Sequence, residues 1–447
     1  MGHRRSLGRE HRDLAERLQH GTTALIEPRD PAARAAWQEI LEILFSREDA
    51  ALAARLPVLP TPLETVASRV GLDPEVARRR LDAMADRGLV LDVVTGDQTL
   101  YMLAPPVVGF FEFSMMRLSD GLPKKRLAKA YHAYMDRDGS FLDELSGGDT
   151  LVGRTLVHET TLFDDLFSEV LDWERATAVL QEAGRVSVTN CYCRHKAKHL
   201  DAGCDYPMES CLSLGAAADH LVRHGLARKI SLQEGLELLT AARESGLVHI
   251  ADNVQQDPAY LCSCCSCCCD ELRSVRVERA MVLPSGFQPA RNARECAGCG
   301  RCARACPVQA ITLIPRGADS AGGGRDGDGG DGADRSKRLL SRIDYSRCLG
   351  CGVCAGACRH RALTMERRRD PPHIPVNVVE FATRRMLERG RLVDLLVDGT
   401  ARRGPAFAHA VLNAITSLPP AQRLLANEQV RSRFVRQALA KYAMPKD

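Results

Sequence analysis

The first third of the chain changes between helical and strand-like patterns of hydrophobic residues. Residues 31–57 carry apolar side chains at the spacing of one helix face. Two further helical segments follow at residues 61–71 and 73–88, and each one ends at a glycine. Alternation in residues 89–103 then predicts a hairpin of two short strands. Two helices followed by a hairpin are typical of a winged-helix domain, which we predict over residues 31–120.

Capping signals set the expected helix boundaries. Thr61, with Glu64 three residues later, has the pattern of a capping box. Asp73 stands before a proline, and this pair is a strong signal for a helix start. Ser231 and Glu234 repeat the capping-box pattern farther along the chain, so we expect another helix to begin there.

Beyond residue 105 the apolar spacing stays mainly helical. We expect helical sequence over residues 106–180, followed by two helices at about 214–224 and 231–245. Residues 316–338 are rich in glycine and aspartate and cannot bury a core, so they predict a flexible insert. Residues 371–447 again have the pattern of helices. The chain as a whole predicts an α+β protein that is mainly α.

Composition says little about a binding partner, but it bears on the cellular compartment. The 447 residues are 45% hydrophobic and 26% charged, which is an ordinary globular balance. The formal net charge of +4 neither requires nor excludes nucleic acid as a partner. No apolar run approaches the roughly 18 residues of a membrane span, and no secretory signal is evident. We therefore expect a cytoplasmic protein without a membrane partner.

The second predicted helix carries a short basic run that bears on DNA binding. Arg78, Arg79 and Arg80 could meet phosphates or base edges, as the recognition helix of a winged-helix protein does. Asp82 and Asp86 offset this charge, and winged-helix domains also bind other proteins. A local basic run is a weak signal, so a DNA-binding regulator is an alternative that we do not favour.

The eighteen cysteines change the picture most. All of them lie between residues 191 and 358. Disulfides are rare in a reducing compartment. Metal or iron–sulfur ligation is therefore the leading explanation for so many thiols.

Two cysteine runs share one spacing, C-x2-C-x2-C-x3-C, in "CAGCGRCARACP" and "CLGCGVCAGACR". This duplicated run resembles the bacterial dicluster ferredoxin family, in which the fourth cysteine of each run ligates the other cluster. The resemblance implies one [4Fe–4S] cluster on Cys296, Cys299, Cys302 and Cys358. It implies a second on Cys348, Cys351, Cys354 and Cys306.

The chain departs from the family pattern in two places. Arg359 stands where a proline is expected after the last ligand, and the insert at 316–338 separates the two runs. Neither change removes a ligand. Zinc, which also accepts four thiolates, is the alternative occupant, but the duplicated spacing favours iron–sulfur clusters.

Ten cysteines lie upstream of the ferredoxin-like runs, in two groups joined by two predicted helices. We expect the helices to return the chain, so that the groups converge on one metal site. The ten could hold two four-cysteine clusters with two left over, or one irregular cluster with extra ligands, or zinc. These candidate ligands are Cys191, Cys193, Cys204, Cys211, Cys262, Cys264, Cys265, Cys267, Cys268 and Cys269.

The pattern "CYCRH…C…ESCLSLG…GLVH…CSCCSCCC" also resembles uncharacterised bacterial iron–sulfur proteins in which such a region precedes a dicluster ferredoxin domain. His195, His199 and His249 flank the upstream cysteines and could act as ligands or proton donors.

These resemblances predict electron transfer through two [4Fe–4S] clusters and a further cysteine-ligated cluster, with a redox protein as partner. An oxidoreductase with catalysis at the upstream cysteines is the alternative. The expected domains are a charged tail (1–30), a winged-helix-like domain (31–120), a helical cysteine-rich metal domain (121–284), a ferredoxin-like dicluster domain (285–370) and a helical C-terminal extension (371–447).

Overall fold

The structure is a computed structural model that describes residues 7–162, 170–316 and 339–392, with isolated residues between 414 and 429. Nearly all of the predicted flexible insert, 316–338, and most of the predicted C-terminal extension lie outside the described residues. Within the described part, helices and a mixed set of strands combine, as expected for the α+β class. No helix of the described residues has the length and apolar content to cross a membrane.

The N-terminal region has the predicted order of two helices followed by a hairpin. Asp73 caps α5 by accepting hydrogen bonds from the amides of Glu75 and Val76, as expected. The predicted Thr61 cap is wrong: Thr61 pairs in strand β1, and α4 begins at Leu63 without a side-chain cap. The elements are α1 (Arg9–Arg17), α2 (Pro31–Leu44), α3 (Arg47–Ala53), β1 (Thr61–Pro62), α4 (Leu63–Val70), α5 (Pro74–Ala85), β2 (Val90–Thr95) and β3 (Gln98–Leu103).

Three helices follow, and they share one core with the elements before them. Helix α7 packs along α2, and the aromatic rings of Phe110, Phe111 and Tyr131 lie in contact between them. The same buried apolar group runs from Leu14 to Met281, across the domain boundary predicted at 120/121. The three helices are α6 (Phe111–Met116), α7 (Lys124–Asp136) and α8 (Ser140–Ser146).

The expectation of a helical cysteine-rich domain is wrong. This region is built on a seven-stranded sheet of order β10-β4-β8-β9-β6-β5-β7, antiparallel except for the β10–β4 pair. Its strands are only two to six residues long, too short to show a clear period-2 pattern. They are β4 (Gly153–Thr155), β5 (Val186–Asn190), β6 (Glu209–Leu214), β7 (Arg228–Ile230), β8 (Val248–Asp252), β9 (Tyr260–Cys264) and β10 (Val282–Leu283).

Helices connect and cover this sheet. The two helices predicted at about 214–224 and 231–245 are confirmed, and Ser231 caps the second by accepting from the amide of Glu234 at 3.1 Å. Together they return the chain from β6 to β8, which lies beside β9. The helices of this region are α9 (Ala176–Ala183), α10 (Tyr192–His199), α11 (Gly215–Arg223), α12 (Leu232–Glu244) and α13 (Asp270–Arg276).

The region with the two repeated cysteine runs has two short antiparallel strand pairs. Strand β11 pairs with β14, and β12 pairs with β13. Each cysteine run is followed by a strand, as its apolar tail predicts. The elements are β11 (Phe287–Arg291), α14 (Arg301–Ala305), β12 (Ile311–Pro315), β13 (Leu339–Ile343), α15 (Val353–Gly356), β14 (Leu363–Arg367) and then α16 (Val378–Glu388).

A buried charge cluster attaches the N-terminal hairpin to the sheet region. Asp92 on β2 bonds to His220 at 2.5 Å, to Arg223 at 2.8 Å and to His224 at 3.1 Å, all from α11 and its end. Burial opposes the charged carboxylate, but these three donors hold the pKa of Asp92 well below its usual range. The N-terminal hairpin of β2 and β3 is thus held against the neighbouring region by an ionic contact.

Replacing Asp92 with asparagine should destabilise the protein by about 3 kcal/mol, because His224 and Arg223 lose their buried counter-charge and His220 loses an ionised hydrogen-bond partner. Asp86→Asn is the matched control. The Asp86 carboxylate is largely exposed, and within the described residues it pairs with His224 alone, so this change should cost less than about 1 kcal/mol. Denaturant unfolding of the anaerobically purified variants measures both. Equal losses of unfolding free energy in the two variants would contradict the role of Asp92 as the buried counter-charge.

The contact of Asp92 with His224 also predicts that the stability of the protein depends on pH. Burial lowers the pKa of His224, but Asp92 and Asp86 outweigh it and raise that pKa above its usual value. The stability from this histidine is therefore fully present below about pH 6.5 and is lost as the pH rises through the folded pKa. The cost of Asp92→Asn should accordingly be larger at pH 6 than at pH 8.5, and a cost that grows with pH would contradict this.

Candidate metal centre

Eight cysteines of the repeated runs form two separate four-thiol sites. We call them the outer site and the inner site. Each lines its own small cavity, and the sets are those implied by the ferredoxin resemblance, with the fourth cysteine exchanged between runs. The outer site is Cys296, Cys299, Cys302 and Cys358, and the inner site is Cys306, Cys348, Cys351 and Cys354.

Glycines let the backbone wrap closely around both sites. Gly298 has φ +67°, and a Cβ there would lie 2.2 Å from the carbonyl oxygen of Leu339. Gly350 has φ +66°, and a Cβ there would lie 2.0 Å from the carbonyl oxygen of Phe287. Left-handed backbone and such close approach are both open only to glycine.

The chemistry of both sites fits iron–sulfur ligation. Backbone amides point at the sulfurs: Ala310 N–H donates to Cys306 Sγ at 3.2 Å, and Gly350 N–H donates to Cys348 Sγ at 3.4 Å. Such amide–sulfur bonds are typical of protein-held clusters. Burial raises the pKa of Cys351 to about 12, so this thiol needs a bound cation in order to ionise near neutral pH.

Burial orders the two sites relative to solvent. Cys299 of the outer site is exposed, whereas Cys351 and Cys354 of the inner site are buried. The side chains of Ile311 and Leu363 pack with cysteines of both sites. The outer site is thus the one that a partner can approach.

Six of the upstream cysteines form a closed ring of thiols, which we call the thiol ring. Three of them are buried (Cys191, Cys264 and Cys269) and three are half-buried (Cys193, Cys211 and Cys262). Each thiol interacts with two others, in the order Cys191, Cys193, Cys269, Cys264, Cys262, Cys211 and back to Cys191.

Sheet pairing and two helix starts build the thiol ring. Cys211 on β6 is the register partner of Cys262 on β9. Cys264 lies two residues farther along β9 and so points to the same face. Cys191 directly precedes α10, and Cys269 directly precedes α13.

Neighbouring thiols and burial shift the pKa values of the ring cysteines in different directions. Interactions with Cys193 and Cys264 hold the pKa of Cys269 well below its usual value. Contacts with Cys191 and Cys269, together with burial, hold the pKa of Cys193 well above it. Contacts with Cys262 and Cys269 and burial do the same for Cys264. Full ionisation of the ring therefore requires compensating positive charge.

One arginine supplies part of that charge. Arg194 is fully buried and forms no ion pair with a carboxylate in the described parts of the chain. Burial disfavours its charge, but the neighbouring thiols of Cys191 and Cys265 raise the pKa of Arg194. Its Nε atom has no hydrogen-bond partner among the described residues. This buried cation thus lies beside the thiols and lowers the cost of ionising them.

A cavity of about 390 Å³ lies against the thiol ring, and all six ring cysteines line it. Its size is that of a small-molecule site. Glu112 also lines it, and burial raises the pKa of that carboxyl to about 7. The hydroxyl of Tyr260 and Oδ1 of Asp252 lack hydrogen-bond partners among the described residues. The cavity thus has apolar walls and unpaired polar atoms.

The four other upstream cysteines lie together apart from the ring. We call Cys204, Cys265, Cys267 and Cys268 the tetrathiol group; their Sγ atoms all lie within 4.8 Å of one another. The predicted convergence of the two cysteine segments is therefore observed, but it produces two thiol groups and not one.

The other candidate residues are placed differently. His195 bonds through Nδ1 to the carbonyl oxygen of Met115 at 2.7 Å and through Nε2 to His199, and neither histidine lines the cavity. Arg78 and Arg79 are exposed on α5, while Arg80 donates to the carbonyl oxygen of Glu48. DNA contact by these arginines remains a prediction.

Sequence reasoning missed the polar residues of the cavity. Glu112 and Tyr260 occupy ordinary apolar segments, and no spacing or motif marks them. Glu271 stands two residues after Cys269, and one of its carboxylate oxygens lies within 4.8 Å of the sulfurs of Cys264 and Cys269. An acid next to a ligand string is a signal that could have singled out Glu271.

Comparison with known proteins supports the outer and inner sites. Residues 295–362 match the 4Fe-4S dicluster domain family, a range that includes all eight of their cysteines. No curated protein and no solved structure matches the chain. The protein is thus an iron–sulfur protein, and its upstream thiol groups have no counterpart in these comparisons.

Gly350→Ala should abolish cluster binding at the inner site, because the added Cβ collides with backbone in a left-handed conformation. Iron per chain should fall by about four atoms, the content of one [4Fe–4S] cluster. Gly356→Ala is the matched control in the same run, since its Cβ would meet nothing nearer than 3.8 Å. Iron analysis after anaerobic purification tests this, and equal iron in both variants would contradict it.

Proposed function

We propose that the protein transfers electrons between a redox partner and the thiol ring. In this proposal the outer and inner sites each hold a [4Fe–4S] cluster, and the thiol ring holds a further cysteine-ligated iron–sulfur cluster. Such clusters, when bound, accept and release single electrons. The family match supports the first two clusters, and the chemistry of six grouped thiols supports the third.

One observation carries this proposal. Cys351 of the inner site and Cys264 and Cys269 of the thiol ring belong to the same buried apolar group, which Val308 and Leu349 complete. Apolar side chains of this group thus pack with cysteines of both sites. The chain therefore orders its sites from the exposed Cys299, through the inner site, to the thiol ring.

The surroundings of the outer site suit an acidic redox partner. Arg294, Arg304, Arg359 and Arg361 are exposed near its cysteines in the chain, and Arg304 donates to the carbonyl oxygen of Cys299 at 3.2 Å. Positive charge around the approachable site would steer an acidic protein surface toward it.

Anaerobic iron and sulfide analysis with EPR of the reduced protein tests the proposal. The full chain should hold clearly more than the about eight iron atoms of two [4Fe–4S] clusters. Cys264→Ser should lower iron to about eight per chain and leave the signal of the outer and inner sites unchanged, because serine is a poor ligand to iron in place of thiolate.

Cys351→Ser is the matched variant, and it should remove inner-site iron while ring iron remains. A full chain with about eight iron atoms, unchanged by Cys264→Ser, would refute a cluster in the ring. Loss of all iron from both variants would refute separate sites.

A second function is favoured by the cavity: reduction of a small, largely apolar molecule at the thiol ring. The cavity borders all six ring thiols and leaves the Tyr260 hydroxyl unpaired. An unpaired buried hydroxyl selects a ligand with a complementary polar atom. The substrate class would be a compact apolar molecule with one polar group.

Phenol and benzene serve as probes of this cavity. Phenol should bind the full chain about fivefold more tightly than benzene, since one added hydrogen bond is worth about 1 kcal/mol. Tyr260→Phe should remove that difference, and Tyr206→Phe, on an exposed tyrosine outside the cavity, should keep it. Calorimetric titration measures both affinities. Equal binding of phenol and benzene by the unaltered chain would overturn this function.

A further inference from the structure

The tetrathiol group has the dimensions of a single-ion site. The sulfur of Cys204 lies 3.9 Å from that of Cys265 and 3.6 Å from that of Cys268. The sulfurs of Cys267 and Cys268 lie 3.7 Å apart. All four sulfurs fall within 4.8 Å of one another.

These separations match a tetrahedron around one zinc ion. A Zn–S bond of about 2.3 Å gives a distance of about 3.8 Å between two tetrahedral ligands. The four thiolates of a [4Fe–4S] cluster bind four different irons at separate corners, so their sulfurs lie farther apart. The separations also exceed the about 2.05 Å of a disulfide.

The local backbone explains how neighbouring cysteines can meet one ion. Successive residues of a strand point to opposite faces, so a straight chain could not bring three of them together. The chain instead leaves β9 at Cys264 and turns through residues 265–268 before α13 begins at Asp270. Arg276 supports the turn by donating to the carbonyl oxygen of Ser266 at 2.5 Å.

The fourth thiol, that of Cys204, comes from the loop after α10. The buried Arg194 joins this loop to strand β9, which leads into the turn. Arg194 donates to the carbonyl oxygen of Pro207 at 2.7 Å and to that of Ser263 at 2.8 Å. Its charge lies beside the Cys265 thiol. A zinc ion with four thiolates has a net charge of about −2, so this unpaired cation is a suitable neighbour.

We propose that Cys204, Cys265, Cys267 and Cys268 bind one structural zinc ion, separate from the iron–sulfur sites. All four positions around the ion are taken by protein thiolates, as in closed structural sites. The ion joins the loop after α10 to the turn before α13. Helix α10 carries Cys193, and Cys269 directly precedes α13, so the zinc site holds the two sides of the thiol ring together.

Zinc and iron analysis of the anaerobically purified full chain tests this inference. The unaltered protein should hold about one zinc per chain. Cys204→Ser should lower zinc at least tenfold and leave the EPR signal of the outer and inner sites unchanged. Cys296→Ser is the matched variant at the outer site, and it should lose iron and keep zinc.

Zinc X-ray absorption of the unaltered chain gives a second measurement that needs no variant. It should show four sulfur neighbours at about 2.3 Å. Three results would each overturn the proposal. The first is a protein without zinc, and the second is a zinc ion with oxygen or nitrogen neighbours. The third is a Cys204→Ser variant that loses iron and keeps zinc. Because iron reports the electron-transfer sites and zinc reports the tetrathiol group, failure of one proposal is distinguishable from failure of the other.

Discussion

The pairing of β6 with β9 is the constraint on which the upstream thiol groups depend. It sets Cys211 opposite Cys262, two cysteines that lie about fifty residues apart in the chain. Helices α11 and α12 make this pairing possible because they return the chain to the sheet. Once the register is set, the starts of α10 and α13 meet at the same place and complete the thiol ring.

Enclosing so many thiols creates a charge problem that the surrounding residues address in different ways. Arg194 lies beside both upstream thiol groups and forms no ion pair with a carboxylate among the described residues, whereas Lys196 pairs with Asp270 at 2.5 Å. At the inner site, burial raises the pKa of Cys348, and both the Gly350 amide and the Arg368 guanidinium oppose that rise. In the proposed function, bound metal would supply the remaining positive charge, which would account for the grouping of these thiols into complete ligand sets.

Sequence reasoning succeeded where the relevant contacts are local and failed where they are not. The ligand sets of the outer and inner sites followed from a spacing that recurs in a known family, and the glycines that wrap them lie within the same runs. The seven-stranded sheet was missed because its strands are too short to impose a period, and the Thr61 cap failed because pairing with β3 outweighed the local capping preference.

The sequence by itself determined that this is a cysteine-rich iron–sulfur protein with two ferredoxin-like runs, because three ligands of each site and the glycines around them lie within about a dozen residues. Only the tertiary structure decided how the other ten cysteines divide into a ring of six and a group of four. That division depends on strand register and on one turn at residues 265–268, which together send adjacent cysteines to different sites. The spacing of the cysteines in residues 262–269 is compatible with every such division, so it could not predict which one forms.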